Sequence, residues 1–199
     1  YSKFISFVLI NITVLFVLVI EKKELEYITM VLLFVWSNLL MLKSSDFLTL
    51  YLSLELGSFV LYLLVSSKKE KIESTEAGLK YFILGSFASM IFLLGVVLLY
   101  SETGTVNFID ISLLEDMKGI RIGVILILVG ILFKMGAAPF HFWVPDVYQG
   151  SEWDVLILLG SVSKLGMYGV LVNISYNIIN MEFEYISLIL FVSGSLSIV

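Results

Sequence analysis

Four ionisable side chains stand inside otherwise apolar stretches of this sequence: Glu55, Lys80, Lys134 and Lys164. Glu55 lies in Leu52-Ser53-Leu54-Glu55-Leu56-Gly57. Lys134 lies in Ile131-Leu132-Phe133-Lys134-Met135-Gly136, and Lys164 in Ser161-Val162-Ser163-Lys164-Leu165-Gly166. A charge at mid-membrane costs about 2.5–3.5 kcal/mol on insertion scales, so each needs a partner, a water path or a task. Burial disfavours a charged lysine and a nearby carboxylate favours it. A lysine facing a carboxylate is thus a tunable proton carrier, and one carboxylate with two or three lysines suits a proton path. Plainer readings stand beside this one. Glu55 can be a protonated carboxyl that joins two helices, and Lys134 a lysine paired for packing. Lys80 comes only a few residues into its apolar stretch, so snorkelling explains it as well as function does.

The residues after Lys134 sharpen the case. The sequence holds two prolines, Pro139 and Pro145, and one histidine, His141, all within the same apolar stretch as Lys134. Pro139 has no N–H, so the carbonyl of Met135 loses its helical partner. Gly136 weakens the same turn. The expectation is a helix broken just after Lys134, with freed backbone groups facing a polar cavity, as at ion and substrate sites of transporters. His141 would fall about 10 Å from Lys134 on the same face if helical geometry persisted. There it could relay a proton or be a satisfied polar residue. Asp146, next to Pro145, reads as a cap or as the lining of an exit at the interface.

These residues need helices to hold them in lipid. Of 199 residues 59% are apolar and 15% charged, and the mean hydropathy is +1.03. A soluble domain carries about 25% charge. A transmembrane helix needs about 20 mostly apolar residues. That ruler gives seven spans: 4–20, 27–42, 47–66, 77–100, 120–149, 155–176 and 183–199. The expected fold is an all-α membrane protein of one transmembrane domain, since continuous apolar runs lack the alternation of a barrel. The longest connection, Ser101 to Gly119, carries Asn107, Asp110 and Glu115 among apolar residues and reads as lying along the membrane surface. With no cysteine and a net charge of −5, thiolate clusters, disulfides and nucleic-acid binding are excluded. No phosphate loop, nucleotide fingerprint or catalytic triad is visible, so redox chemistry on this chain is not expected.

Three stretches carry a specific resemblance. They are Leu52-Ser53-Leu54-Glu55-Leu56, then Ser74-Thr75-Glu76-Ala77-Gly78-Leu79-Lys80-Tyr81-Phe82, and the run from Phe133 through Pro139-Phe140-His141-Phe142-Trp143-Val144-Pro145-Asp146 to Gly150. With Ser163-Lys164 in the next span, they resemble the antiporter-like membrane subunits of respiratory complex I, NADH:ubiquinone oxidoreductase, and among these the subunit 2 family. The likeness runs from about Leu52 to about Gly169. It implies broken helices in an inverted-repeat antiporter scaffold, and proton translocation driven by quinone reduction elsewhere. By the same resemblance Glu55 and Lys134 form an ion pair, Lys164 is the central relay lysine and Lys80 a further lysine of the motif. Flavin, iron–sulfur clusters and quinone are expected on partner subunits, with no cofactor or metal on this chain. The partners implied are other complex I membrane subunits and lipids, in the mitochondrial inner membrane rather than a bacterial plasma membrane. Ser151-Glu152-Trp153-Asp154-Val155 departs from the small residues and prolines usual after the Gln-Gly pair. Seven spans are about half the family's number, and a second broken helix with its own lysine is absent. A separate chain supplying that half is therefore expected.

Three function classes follow: a proton-pumping subunit of complex I, a stand-alone cation/proton antiporter, and a scaffold whose pump has decayed.

Overall fold

Asp46 sets the register of the helix that carries Glu55. Its carboxylate accepts from the Thr49 N–H at 2.7 Å and from the Thr49 hydroxyl at 2.7 Å, which caps free amides at the helix start. The computed structural model describes residues 2–19, 24–68, 71–112, 118–178 and 184–198. Over these the chain forms α1 (Ser2–Val19), α2 (Leu25–Lys43), α3 (Phe47–Val65), α4 (Ile72–Thr103), the short α5 (Phe108–Ser112), α6 (Lys118–Met135), α7 (Val144–Gly150) and α8 (Trp153–Ile157). A π-helical stretch, Leu158–Val162, leads into α9 (Ser163–Ile178), and α10 (Glu184–Ile198) follows. No strand occurs among the described residues. Ile20, Phe183 and Val199, expected limits of the first and seventh spans, lie outside the described residues, as does Glu115.

Each of the seven apolar stretches contains helix within its described residues. Among the described residues, four helices reach membrane-crossing length and apolarity by themselves: Leu25–Lys43, Phe47–Val65, Ile72–Thr103 and Trp153–Tyr176. The fifth stretch does not run as one helix. It divides into α6 and α7 around turns at 136–143, and α6 carries Lys118, Arg121 and Lys134. The sixth begins earlier than the apolar run suggests, at Trp153. Glu152 just before it pairs with Lys68 across 2.6 Å, which ties the unusual 151–154 segment to the end of α3. Within the 101–119 connection, α5 is anchored by packing. Phe108 and Ile111 are buried, and the Phe108 ring meets Phe47 edge-on at 4.7 Å.

Lipid is as apolar as leucine, so close approach rather than water exclusion joins helices in a membrane. The α4–α6 seam shows how. A side chain at Gly95 would come within 2.7 Å of the Gly123 carbonyl oxygen, and one at Gly123 within 2.9 Å of the Gly95 oxygen. The backbones therefore touch. One buried apolar cluster includes Phe34, Leu61, Tyr81, Phe133, Trp143 and Leu158. A second includes Leu50, Phe92, Ile127, Ile131 and Val170, with Met135 packed on it. Phe133 belongs to the first and Ile131 to the second, so Lys134 sits at their junction.

Candidate functional site

Lys134 occupies the last turn of α6, where unpaired carbonyls make the helix end negative and attract cations. Its side chain is 9% exposed. The ammonium donates to Ser58 Oγ at 2.5 Å and to Tyr62 Oη at 3.5 Å. It lies 3.6 Å from Glu55 Oε1 and 5.8 Å from the centre of the Tyr62 ring. Glu55, Ser58 and Tyr62 fall at i, i+3 and i+7 on α3, one face of one helix. Ser89 of α4 donates its hydroxyl to Glu55 Oε1. Gly85 leaves room for the Tyr62 hydroxyl, which any side chain there would strike. Three helices thus build one polar cluster: α3 gives the carboxylate and two hydroxyls, α4 a hydroxyl, and α6 the ammonium. The expected Glu55–Lys134 pair is in place. Glu55 is 35% exposed in this chain, so one side of the carboxylate is open.

The helix breaks where expected. Gly136 adopts φ +67, a left-handed conformation that glycine takes without a Cβ penalty. A side chain there would also meet Val144 Cγ2 at 2.8 Å and Lys164 Nζ at 3.2 Å. The freed backbone groups are met by side chains rather than opening onto a polar cavity. Lys164 donates its ammonium to the Met135 carbonyl and lies 5.5 Å from the centre of the Trp143 ring system. Trp143 Nε1 donates to the Phe133 carbonyl at 2.9 Å. The Ala138 N–H donates to Ser197 Oγ at 2.9 Å, and Ser193 Oγ donates to the Ala138 carbonyl at 2.6 Å. This satisfies irregular backbone at membrane depth, which lipid cannot do. Lys164 therefore meets the carbonyl end of the same helix whose last turn carries Lys134. Lys164 follows directly on the π-helical stretch, whose wider turn returns the Ser163 N–H to the Leu158 carbonyl. Such stretches are frequent at functional sites.

The other two candidates lie elsewhere. Lys80 pairs with Glu76 at 2.9 Å and Asp146 at 2.8 Å, and its side chain is 44% exposed. The Lys80–Asp146 pair fastens α4 to α7, a structural role for Asp146 that its position at the end of the span suggests. His141 is exposed within the turns that follow the break. The two-turn spacing to Lys134 does not hold, because α6 ends at Met135.

Ser58, Tyr62, Ser89, Trp143, Ser193 and Ser197 are neighbours of the candidate site and the helix break that sequence reasoning missed. Serines in apolar helices usually bond back to their own turn, as Ser58 does to Leu54 O at 2.7 Å, so their type alone marks nothing. The signal available was spacing: Ser58 and Tyr62 share the face of Glu55. A second overlooked signal is Ser37-Asn38 in the middle of α2, both buried.

Known proteins share this arrangement of chain. A family model described as "NADH:quinone oxidoreductase/Mrp antiporter, TM" matches residues 44–199. The NADH-quinone oxidoreductase subunit N of Magnetococcus marinus is 42% identical over 160 residues, covering 76% of this chain and 33% of that protein. The NADH-ubiquinone oxidoreductase chain 2 of Oenothera berteroana is 39% identical over 151 residues, covering 72% of this chain and 31% of the relative. In the solved structure of respiratory complex I from Thermus thermophilus with bound aureothin, one chain superposes with a TM-score of 0.79 at 30% identity. That match covers 86% of this chain and 39% of that one. The chain spans about a third of the length of the curated relatives it matches. Helices that share apolar seams, a lysine at a helix break and these matched sequences lead to one conclusion: the chain belongs to the NADH:quinone oxidoreductase/Mrp antiporter transmembrane family.

Proposed function

We propose that this chain is part of a membrane-arm subunit of proton-translocating NADH:quinone oxidoreductase, and that Glu55, Lys134 and Lys164 carry the proton through it. The observation that carries the reading is the buried Lys134 ammonium, held between Ser58 and Glu55 at the end of a helix whose last carbonyl is taken by Lys164. The pair is built to respond to charge. Two unit charges about 4 Å apart interact by roughly 4 kcal/mol at an effective dielectric of 20. A neighbouring charge that draws Glu55 away removes part of that attraction, and burial then favours neutral Lys134. The released proton passes toward Lys164 once that lysine has given its own proton onward. Return of Glu55 then favours uptake of a new proton by Lys134 from the input side of the path.

The chain contributes proton transfer and not electron transfer. It has no cysteine to hold an iron–sulfur cluster, so flavin, clusters and quinone belong to partner subunits in this reading. Other membrane-arm subunits and lipid are the partners. The bilayer is one that holds a proton gradient, the mitochondrial inner membrane or a bacterial plasma membrane. A second reading, a stand-alone cation/proton antiporter, has the family description in its favour, since that description also covers Mrp antiporters.

Lys134→Met tests the assignment. In intact vesicles carrying the assembled complex, proton uptake driven by NADH oxidation is expected to fall by at least about a hundredfold through this channel, the scale on which a positioned acid–base group acts. Undiminished uptake with normal assembly overturns the role of Lys134 and leaves the decayed scaffold as the better account.

A further inference from the structure

Asn38 and Ser37 lie in the middle of α2, an otherwise apolar helix over its central turns. They are 5% and 1% exposed. Each donates to the carbonyl of Phe34, Asn38 Nδ2 at 2.8 Å and Ser37 Oγ at 2.6 Å. Both bonds use donors, so the acceptor oxygens of both side chains are left over. Those oxygens are given room by the neighbouring helices. A side chain at Gly57 of α3 would strike Ser37 Oγ, and one at Gly166 of α9 would strike Asn38 Oδ1. Gly166 is two residues beyond Lys164.

Between these helices is a cavity of about 30 Å³ whose lining includes Ser37, Asn38, Ser53, Ser58, Lys134 and Ser163, with Tyr81. That is room for one or two waters, and a buried water needs two to four polar partners. Lys134 supplies N–H donors on one side and Ser163, next to Lys164, a hydroxyl on another. Ser53 and Ser58 spend their own protons on helix carbonyls of α3, so toward the cavity they accept. A water donating to Asn38 Oδ1 or Ser37 Oγ would keep a lone pair turned to Lys134, the orientation needed to receive a proton.

We infer that α2 is a working wall of the proton path: Asn38, with Ser37, is a positioning residue that orients water between Lys134 and the Ser163–Lys164 corner. This rests on the proposed proton route through Lys134 and adds a residue outside the charged set. It differs from a packing role in what it predicts for proton transfer.

The test uses the assembled complex in sealed vesicles, with NADH oxidation and proton uptake read together in H₂O and D₂O. Asn38→Leu keeps the branched shape and removes both polar atoms. It is expected to slow proton uptake about tenfold, the equivalent of one lost hydrogen bond in the rate-limiting step, and to raise the solvent isotope effect. Asn38→Ser, which retains an oxygen, is expected to recover most of the rate. Lys134→Met is measured alongside. A loss with Lys134→Met but an unchanged Asn38→Leu overturns this inference alone, and an unchanged Lys134→Met overturns the reading beneath it. A lower yield of complex with an unaltered isotope effect assigns Asn38 to packing and also overturns the inference. Should Asn38→Leu not assemble, a density map of the unsubstituted complex decides. Water bonded to Asn38 Oδ1 in the cavity supports the inference, and a protein donor filling that place overturns it.

Discussion

At the scale of single residues, the site separates charged groups by depth. Lys134 is buried with two hydroxyls and one carboxylate about it, whereas Lys80 is exposed between Glu76 and Asp146. Removing one partner of a buried charge leaves the charge uncompensated, and exposed pairs contribute little. Ser58→Ala is therefore expected to slow NADH-driven proton uptake about tenfold, since hydrogen bonds to charged groups are worth about 1.5–3 kcal/mol. Lys80→Met is expected to change it by less than about threefold, because solvent already screens that pair. The two variants measured in one vesicle preparation make the contrast direct. A larger loss from Lys80→Met than from Ser58→Ala would move the proton route from the Glu55 face of α3 to the α4–α7 surface.

At the scale of elements, the break after α6 is held open by two different devices. One is backbone: Gly136 at φ +67. Gly136→Ala places a Cβ in a left-handed conformation, at roughly 1–2 kcal/mol, and presses it toward Val144 Cγ2 and Lys164 Nζ. The expected outcome is a lower melting temperature of the complex in detergent and displacement of Lys164 from the Met135 carbonyl, read as slower proton uptake. The other device is α10. Ser193 and Ser197 are one turn apart, and together they take both polar backbone groups of Ala138. Ser193→Ala combined with Ser197→Ala removes two hydrogen bonds of about 0.5–1.5 kcal/mol each. The Ala138 amide is then expected to exchange with D₂O at least about tenfold faster, while amides in the α4–α6 seam keep their rates. Unchanged exchange at Ala138 would show that α10 rests against the break without holding it.

At the scale of the whole molecule, what could be read in advance follows the contrast of charge against apolar background. Glu55, Lys134 and the Gly136–Pro139 break stood out because their neighbours are leucine, isoleucine and phenylalanine, and the structure brings the three together. Partners far apart in sequence did not stand out. Asp146 lies 66 residues from Lys80, and Ser89 is 34 from Glu55; only helix packing decides those distances. The two-turn spacing from Lys134 to His141 does not hold, for a local reason. Helical spacing projects a residue onto a face only while the helix continues, and here it stops six residues earlier. The same physics bears on what surrounds the chain. Leu52, Phe59 and Leu63 share a face of α3 with Glu55 and are exposed, and the carboxylate is partly open there. Lipid can cover the leucines and the phenylalanine, but it cannot solvate a carboxylate. Further protein packed against this face would account for both. The chain is therefore expected to migrate, after mild solubilisation, within a large assembly that contains flavin and iron–sulfur centres. Migration as a small complex without them would favour the stand-alone antiporter, in which water or a second copy must shield Glu55.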